Sequence, residues 1–186
     1  GNSHNLYVWD PEIDPDAGML RLVFGLGTRA VERTITDYAK LVTLDKPTRK
    51  VDASDPARHS QRYVDVLELA TNSQQTKPLA QLRDLDIKAD WDLFVSTDGD
   101  TLRWLREHNR RINQVPKVLD FNGLITGTEF ASLMRDMLQA LSTAYDHPVD
   151  IEYTVNINED GEPRIILVQC RPLQTRGLGD AVDMPA

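Results

Sequence analysis

The clearest pattern of apolar and polar positions lies near the end of the chain. From Ile151 to Ile157, apolar residues alternate with polar ones, which is typical of a strand with one buried face. A second extended run covers 164–171, and Asp160-Gly161 separates the two runs. Because Asp-Gly between such runs favours a two-residue type I′ turn, the sequence predicts a β-hairpin.

The predicted turn fixes which side chains share a face of this hairpin. Glu152 is expected opposite Gln169 and Asp150 opposite Arg171, all on one face, with an apolar face behind them. The other expected pairs are Glu159 with Glu162, Asn158 with Pro163, Tyr153 with Val168, Val155 with Ile166, and Ile151 with Cys170.

Two interpretations of this polar face are open. A carboxylate beside an amide oxygen offers hard oxygen ligands for Mg²⁺, and a nearby arginine can hold phosphate oxygens. Alternatively, the face is simply solvated, with an ordinary cross-strand ion pair between Asp150 and Arg171 that contributes about 0.2–1 kcal/mol.

Elsewhere the pattern predicts an α+β fold. Strands are expected at 6–9, 19–24 and 63–69, with further extended runs at 37–44 and 93–96. A short helix begins near Thr28, and another follows Asp98 or Asp100 with Leu102 and Leu105 facing inward. A longer helix follows a Thr126–Glu129 capping box, and its apolar stripe is expected to pack on a sheet. That stripe comprises Phe130, Leu133, Met134, Met137, Leu138, Leu141 and Tyr145.

Composition narrows the functional classes. The formal charge is −8, from 21 basic and 29 acidic residues, which argues against a nucleic-acid surface. No apolar run approaches the ~20 residues needed to cross a bilayer, so no membrane partner is expected. Cys170 is the single cysteine, which excludes an intrachain disulfide and favours a cytoplasmic protein. The four histidines, at 4, 59, 108 and 147, lie in no recognisable catalytic motif.

Two segments resemble the ATP-binding domain of the phosphoenolpyruvate synthase and pyruvate, phosphate dikinase family. The first is Asp150-Ile151-Glu152-Tyr153, followed by a hairpin and Gln169-Cys170-Arg171-Pro172. The second is Asp10-Pro11, an acidic loop, a strand and Gly25-Leu26-Gly27, with Ile35-Thr36-Asp37-Tyr38 after it. The resemblance covers about 1–45 and 117–175.

The resemblance implies an ATP-grasp-like subdomain with a largely antiparallel sheet packed by helices. It also implies ATP and Mg²⁺ as cofactors: Glu152 and Gln169 would hold the metal and nucleotide, with Gly25 and Gly27 also at the nucleotide, and Arg171 would act on the phosphates. The family passes a phosphoryl group from ATP to a histidine on a separate domain, and then to pyruvate or a similar acceptor. Thr28 stands where the family commonly has Glu, which puts one polar contact in question.

The expected organisation is an ATP-grasp portion over 1–175, with an insertion at about 46–113 and a tail or linker at 176–186. The chain is expected to be a fragment, inactive alone, that needs an N-terminal ATP-grasp lobe and a phosphohistidine domain as partners. The alternative is a non-catalytic scaffold derived from the same fold, with 46–113 as its contact surface.

Overall fold

A computed structural model of the chain describes residues 1–31, 37–49, 60–84, 89–97, 99–108 and 117–174. Helices and strands are mixed, and the strands pair as antiparallel hairpins or ladders, which confirms the α+β class. After a 3₁₀ turn at Pro15–Ala17, the elements are β1 (Met19–Leu22), α1 (Thr28–Val31), β2 (Lys40–Thr43), β3 (Tyr63–Glu68), β4 (Ser73–Pro78), α2 (Leu79–Asp84), α3 (Trp91–Phe94), β5 (Val95–Thr97), α4 (Gly99–Glu107), β6 (Lys117–Leu119), α5 (Asn122–Gly127), α6 (Phe130–Tyr145), β7 (Val149–Ile157) and β8 (Pro163–Pro172).

The start of the chain joins two hairpins into one sheet. β1 pairs with β2 and β7 pairs with β8, both antiparallel. Asn2 lies between the hairpins and forms antiparallel bridges with Met19 of β1 and Asp150 of β7. The strand order is therefore β2, β1, the segment Gly1–Ser3, β7 and β8. The predicted strand at 6–9 is wrong, because Gly1–Ser3 takes the place beside β1 and Leu6–Trp9 runs past it with exposed side chains.

The hydrophobic core lies between this sheet and helix α6. Phe130, Met134 and Leu138 are at most 1% exposed on the helix, and they pack in one cluster with Leu20 and Ile151 of the sheet. Each fully buried side chain of this size contributes roughly 1.5–3 kcal/mol. The predicted apolar stripe of α6 is thus confirmed at its centre, and its outer members Leu133 and Tyr145 are exposed.

The predicted capping box before α6 is wrong. Helix α5 continues through Gly127, so Thr126 lies inside it and donates to the carbonyl of Asn122 at 2.7 Å. Glu129 is the N-cap of α6 without a side-chain cap bond. The hydroxyl of Thr128 instead accepts from the Phe130 amide at 3.1 Å. Two helices in succession therefore replace the single helix start expected from the sequence.

The described part of 46–113 shares the core of the domain. Val64 of β3, Leu82 of α2 and Val95 of β5 belong to the same buried cluster as α6. The strand predicted at 63–69 is confirmed as β3, and the run at 93–96 divides between α3 and β5. Asp100 lies within helix α4 rather than capping it, and Asp98 lies outside the described residues. The insertion at 46–113 stays a prediction, and the tail at 176–186 falls outside the described residues, as do His59, Ile35 and Thr36.

Candidate nucleotide site

The polar face of the β7–β8 hairpin has the side chains that the sequence predicted for it. Glu152 lies opposite Gln169, and Asp150 lies opposite Arg171. Directly opposed residues of an antiparallel pair share a face, so all four project from the side of the sheet away from α6. We call this side the outer face. Glu152, Gln169 and Arg171 are exposed on it, which leaves them accessible to a ligand.

The turn of this hairpin differs from the prediction. Ile157 pairs with Pro163, and the Asn158 amide donates to the Glu162 carbonyl at 3.0 Å, so three residues form the loop rather than two. Gly161 has φ +83°, as expected for the last residue of a three-residue loop. The cross-strand partners predicted for Glu159, Tyr153, Val155 and Pro163 are therefore wrong, each by one position. In the structure Tyr153 faces Leu167, and Val155 faces Ile165.

A β-bulge restores the predicted register at the site. The ladder shifts between Glu152 and Tyr153, so that Val168 of β8 is left without a partner across the strand. The extra residue in β8 compensates for the extra residue in the loop. Glu152, Asp150 and Ile151 consequently keep the partners expected from the sequence, although the route to that register is different.

Three local features favour the longer loop. The Asn158 side chain accepts from the amides of Asp160 at 3.1 Å and Glu162 at 2.7 Å, which stabilises the turn. A two-residue turn would set Glu159 directly against Glu162, and like charges in that position are destabilising. It would also place Arg164 beside Ile157 on the apolar face, whereas in the structure Arg164 lies exposed opposite Asn156.

Arg171 is oriented by its neighbour across the ladder. Its Nε and Nη2 donate to one carboxylate oxygen of Asp150, at 2.9 and 2.7 Å. This hydrogen bond, together with the charge of Asp150, raises the pKa of Arg171 above its ordinary value. The Arg171 side chain is 57% exposed, so it remains open to phosphate oxygens while Asp150 limits its motion.

Arg21 is a second cation on the outer face, and the sequence reasoning did not identify it. Asn2 pairs with both Met19 and Asp150, so the residues two positions further along each strand, Arg21 and Glu152, lie on that same face in one row. The signal in the sequence is a single arginine within the apolar strand Met19–Leu22. It could not be placed without knowing that β1 and β7 flank the same segment.

The two glycines assigned to the nucleotide line a groove that Arg21 of the outer face also borders. Gly25 and Gly27 line a groove between β1 and the far half of β7, whose lining residues do not include Glu152, Gln169 or Arg171. A Cβ on Gly25 would meet the Asp65 carbonyl at 2.6 Å, and Gly25 has φ +91°. Gly25 is therefore required for close packing of the glycine turn on β3, independently of any ligand.

Thr28, in the position where the resemblance suggested Glu, bonds within the protein. Its hydroxyl donates to Asp65 of β3 at 2.7 Å. Asp65 also accepts from Thr76 at 2.6 Å and from Arg29 at 3.1 Å, and Arg29 donates to Asp37 at 2.8 Å. We call this group the Asp65 cluster. A glutamate at position 28 would bring a second carboxylate towards Asp65, so the threonine fits this arrangement.

The Asp65 cluster is buried, and protein side chains supply the hydrogen bonds that its carboxylate accepts. The side chains of Asp65 and Arg29 are 7% and 14% exposed. Burial by itself raises the pKa of Asp65, but hydrogen bonds from Thr76, Thr28 and Arg29, with the Arg29 charge, hold that pKa below its ordinary value. Local sequence patterns do not reveal this cluster, because Asp65 lies 37 residues from Thr28 and 36 residues from Arg29 along the chain.

The donor set of the outer face suits a hard cation bound together with a nucleotide. Among the described residues, no group of three or more acidic, histidine or cysteine side chains could hold a metal by itself. Mg²⁺ is usually held by one or two carboxylates plus substrate phosphates, and it keeps several waters. Glu152 with the Gln169 amide oxygen therefore fits a Mg²⁺ whose other ligands come from phosphates and water.

The domain is α+β, and an acid, an amide and arginines share one open face of its sheet. A family model described as the pyruvate phosphate dikinase, AMP/ATP-binding domain, matches residues 7–185. The chain belongs to this family, and it is an ATP-binding part of a dikinase-type enzyme. No curated protein and no solved structure matches it significantly.

The described helices are too short or too polar for a bilayer. The longest, α6, has 16 residues, and none of the described helices meets the length and apolarity of a membrane span.

Proposed function

We propose that the outer face of β7–β8 binds the Mg²⁺–ATP complex through Glu152, Gln169 and Arg171. Glu152 and Gln169 contribute oxygen ligands to Mg²⁺, and Arg171 contacts the phosphates from the same face. The observation that carries this proposal is the pairing of Glu152 with Gln169 and of Asp150 with Arg171, on a face open to solvent within an ATP-binding family.

Arg171 is the residue assigned to the reacting phosphates. Phosphoryl transfer spreads negative charge over the equatorial oxygens, and a fixed guanidinium stabilises that charge. Asp150 accepts from Nε and Nη2 of Arg171, so Nη1 is available to phosphate oxygens as far as the described residues are concerned. Arg21, in the same row as Glu152, supplies a second positive charge for the triphosphate.

The reaction proposed for the enzyme is the family's phosphotransfer. The terminal phosphoryl group would pass from ATP to a histidine on a separate domain, and then to pyruvate or a similar acceptor. A cytoplasmic location belongs to the same proposal. We expect the 186-residue chain to bind nucleotide weakly and to show no turnover, because Glu152, Gln169 and Arg171 are exposed and water is not excluded around them.

The test is magnesium-dependent ATP binding by the Glu152→Gln variant. We expect the affinity for ATP with Mg²⁺ present to fall about tenfold or more, equivalent to about 1.4 kcal/mol. The reason is that the charged carboxylate proposed to ligate Mg²⁺ is replaced by a neutral amide. Isothermal titration with and without Mg²⁺ measures it, and thermal melting checks that the fold is intact. Glu159→Gln, at an exposed loop position of the same hairpin, is the matched control and should bind as the unchanged chain does. Equal affinities for the two variants would contradict the proposal.

A further inference from the structure

The carboxylate of Asp150 bonds to Arg171 through only one of its two oxygens. Nε and Nη2 of Arg171 both donate to Oδ2, at 2.9 and 2.7 Å. An arginine beside a carboxylate frequently bonds both oxygens, with one N–H donated to each. The arrangement in this domain instead leaves Oδ1 for a different donor, which the segment on the other side of β7 supplies.

That donor is the side-chain amide of Asn2. Asn2 and Asp150 face each other in an antiparallel bridge, so both side chains project from the outer face. The amide nitrogen of Asn2 lies 2.9 Å from Oδ1 of Asp150 and 3.0 Å from the Gly1 carbonyl oxygen, and it donates to both. Asn2, Asp150 and Arg171 thus form one row of hydrogen bonds across the sheet.

The strand pairing does not need the Asn2 side chain. Asn2 already exchanges backbone hydrogen bonds with Met19, at 2.9 Å in both directions. Exposure rises along the row, because Asn2 is half-buried, the Asp150 side chain is 24% exposed and the Arg171 side chain is 57% exposed. The row therefore leads from the middle of the sheet to the open site.

Two donors fix a carboxylate that one donor would leave free to turn. Rotation about the Cβ–Cγ bond of an aspartate has a broad energy profile, so a single partner does not define the plane of the carboxylate. With Oδ1 of Asp150 held by Asn2 and Oδ2 held by Arg171, that plane is set. Because both bonds from Arg171 converge on Oδ2, its Nη1 lies on the side of the guanidinium away from Asp150.

We propose that Asn2 is a positioning residue of the nucleotide site, acting on Arg171 through Asp150. By occupying Oδ1 it confines Arg171 to Oδ2, and so fixes the direction in which the remaining N–H groups point. A neutral amide suits this role, because a cation would compete with Arg171 for the carboxylate and a second carboxylate would repel the first. The effect on nucleotide binding rests on the proposed function, whereas the effect on the Arg171 side chain does not.

The first test needs no nucleotide. Hydrogen exchange of the Arg171 Nε–H, followed by nuclear magnetic resonance at mildly acidic pH, should be about fivefold faster in Asn2→Ala, as expected when one hydrogen bond is lost. Asn2→Leu, similar in size but without a donor, should behave in the same way. Asn156→Ala removes an exposed asparagine of the same face, opposite Arg164, and should leave the exchange unchanged. Unchanged exchange in both Asn2 variants would overturn the proposal.

The second test asks whether Asn2 acts through Asp150. Titration calorimetry with Mg²⁺ and ATP compares the unchanged chain, Asn2→Ala, Asp150→Ala and the double variant. We expect Asn2→Ala to weaken binding about tenfold when Asp150 is present, as is usual when the partner of a ligand-binding side chain is removed. In the Asp150→Ala background the further loss should be less than about twofold. Equal losses in both backgrounds would mean a merely structural role, and would overturn the proposal.

The two tests separate this inference from the proposed function. If Glu152→Gln left the ATP affinity unchanged, the proposed function would fail, and the exchange of the Arg171 Nε–H would still decide whether Asn2 positions that side chain. If Glu152→Gln weakened binding while Asn2→Ala did not, the nucleotide site would stand and the role of Asn2 in it would be refuted.

Discussion

Two polar clusters of this domain differ in what their side chains contact. In the Asp65 cluster, a carboxylate that is 7% exposed accepts hydrogen bonds from Thr28, Arg29 and Thr76. On the outer face, Glu152 and Gln169 are exposed, and Arg171 is 57% exposed and bonds to Asp150 alone among the described residues. The first cluster is closed within the protein, and the second is open.

The comparison separates a structural cluster from the proposed ligand-binding one. Buried charges destabilise a fold unless they are paired and hydrogen-bonded, and the Asp65 cluster meets that condition inside the protein. It fastens the glycine turn to β3, where Leu26 also donates to the Asp65 carbonyl at 2.8 Å. The outer face has unused hydrogen-bonding capacity that a nucleotide and a cation can take up. Changes in the first should affect stability, and changes in the second should affect binding.

Removing the Asp65 carboxylate should have the largest effect. Asp65→Ala leaves Arg29 buried with one carboxylate partner, and we expect a loss of about 3–5 kcal/mol in the free energy of unfolding. Urea unfolding followed by circular dichroism measures it. Asp136→Ala, at an exposed position of α6, should change stability by no more than about 0.5 kcal/mol. Similar losses in the two variants would show that the Asp65 cluster does not support the fold.

Gly25→Ala should come next. The added methyl group would meet Val64 at 2.5 Å and the Asp65 carbonyl at 2.6 Å, at a φ of +91° that alanine disfavours. Overpacking and backbone strain together suggest a loss of about 2–4 kcal/mol. Gly27→Ala is the matched control, since a Cβ there has no atom within 4 Å. Melting temperatures that fall equally for the two variants would contradict the close packing of Gly25 on β3.

Arg21→Gln should weaken nucleotide binding without unfolding the domain. We expect about a tenfold loss of ATP affinity, equivalent to about 1.4 kcal/mol. The loss for AMP should be smaller, because Arg21 is proposed to contact the terminal phosphates, which AMP lacks. Titration calorimetry with both nucleotides measures the difference. Arg164→Gln changes an exposed arginine of β8 nearer the turn and serves as the control. An equal loss for both variants would mean that Arg21 contributes only general positive charge.

The pH dependence of stability should show the smallest effect. The pKa of Asp65 is lowered in the folded protein, so its contribution to stability is complete above its unfolded pKa of about 3.9 and is lost as the pH falls through that value towards the folded pKa. The pKa of Asp45 is lowered as well: hydrogen bonds from Thr43, Lys46 and Arg49 outweigh its burial. Urea unfolding between pH 6 and 3 should therefore show a shallower decline for Asp65→Asn than for the unchanged chain. Parallel curves would exclude Asp65 as a contributor.

The sequence was sufficient to predict the cross-strand partners on the outer face because two deviations from the predicted hairpin cancel. The three-residue loop moves the register by one position, and the bulge at Val168 moves it back before Glu152. The alternation of 151–157 requires one buried face, which fixes the side of Glu152 however the turn is built. The loop length depended on the side chain of Asn158, and propensity for Asp-Gly alone could not reveal that contact.

Features that depend on distant partners were not predictable in this way. Arg21 reaches the outer face only because Gly1–Ser3 brings β1 and β7 into one sheet, and nothing in the local pattern signals that pairing. Thr28 and Asp65 meet through tertiary packing of the glycine turn on β3. Periodicity located the strands β1, β3 and β7, but the order of strands within the sheet had to come from the structure.

The most direct measurement is paramagnetic broadening of the amide resonances by Mn²⁺ in the presence of ATP. Mn²⁺ prefers the same octahedral oxygen ligands as Mg²⁺, so it reports where the nucleotide-bound cation lies. Binding at the outer face predicts that the strongest broadening centres on Glu152 and Gln169 and weakens towards the hairpin loop. Broadening centred on Gly25 and Gly27, with Glu152 and Gln169 unaffected, would place the cation in the groove and contradict the assignment of the outer face.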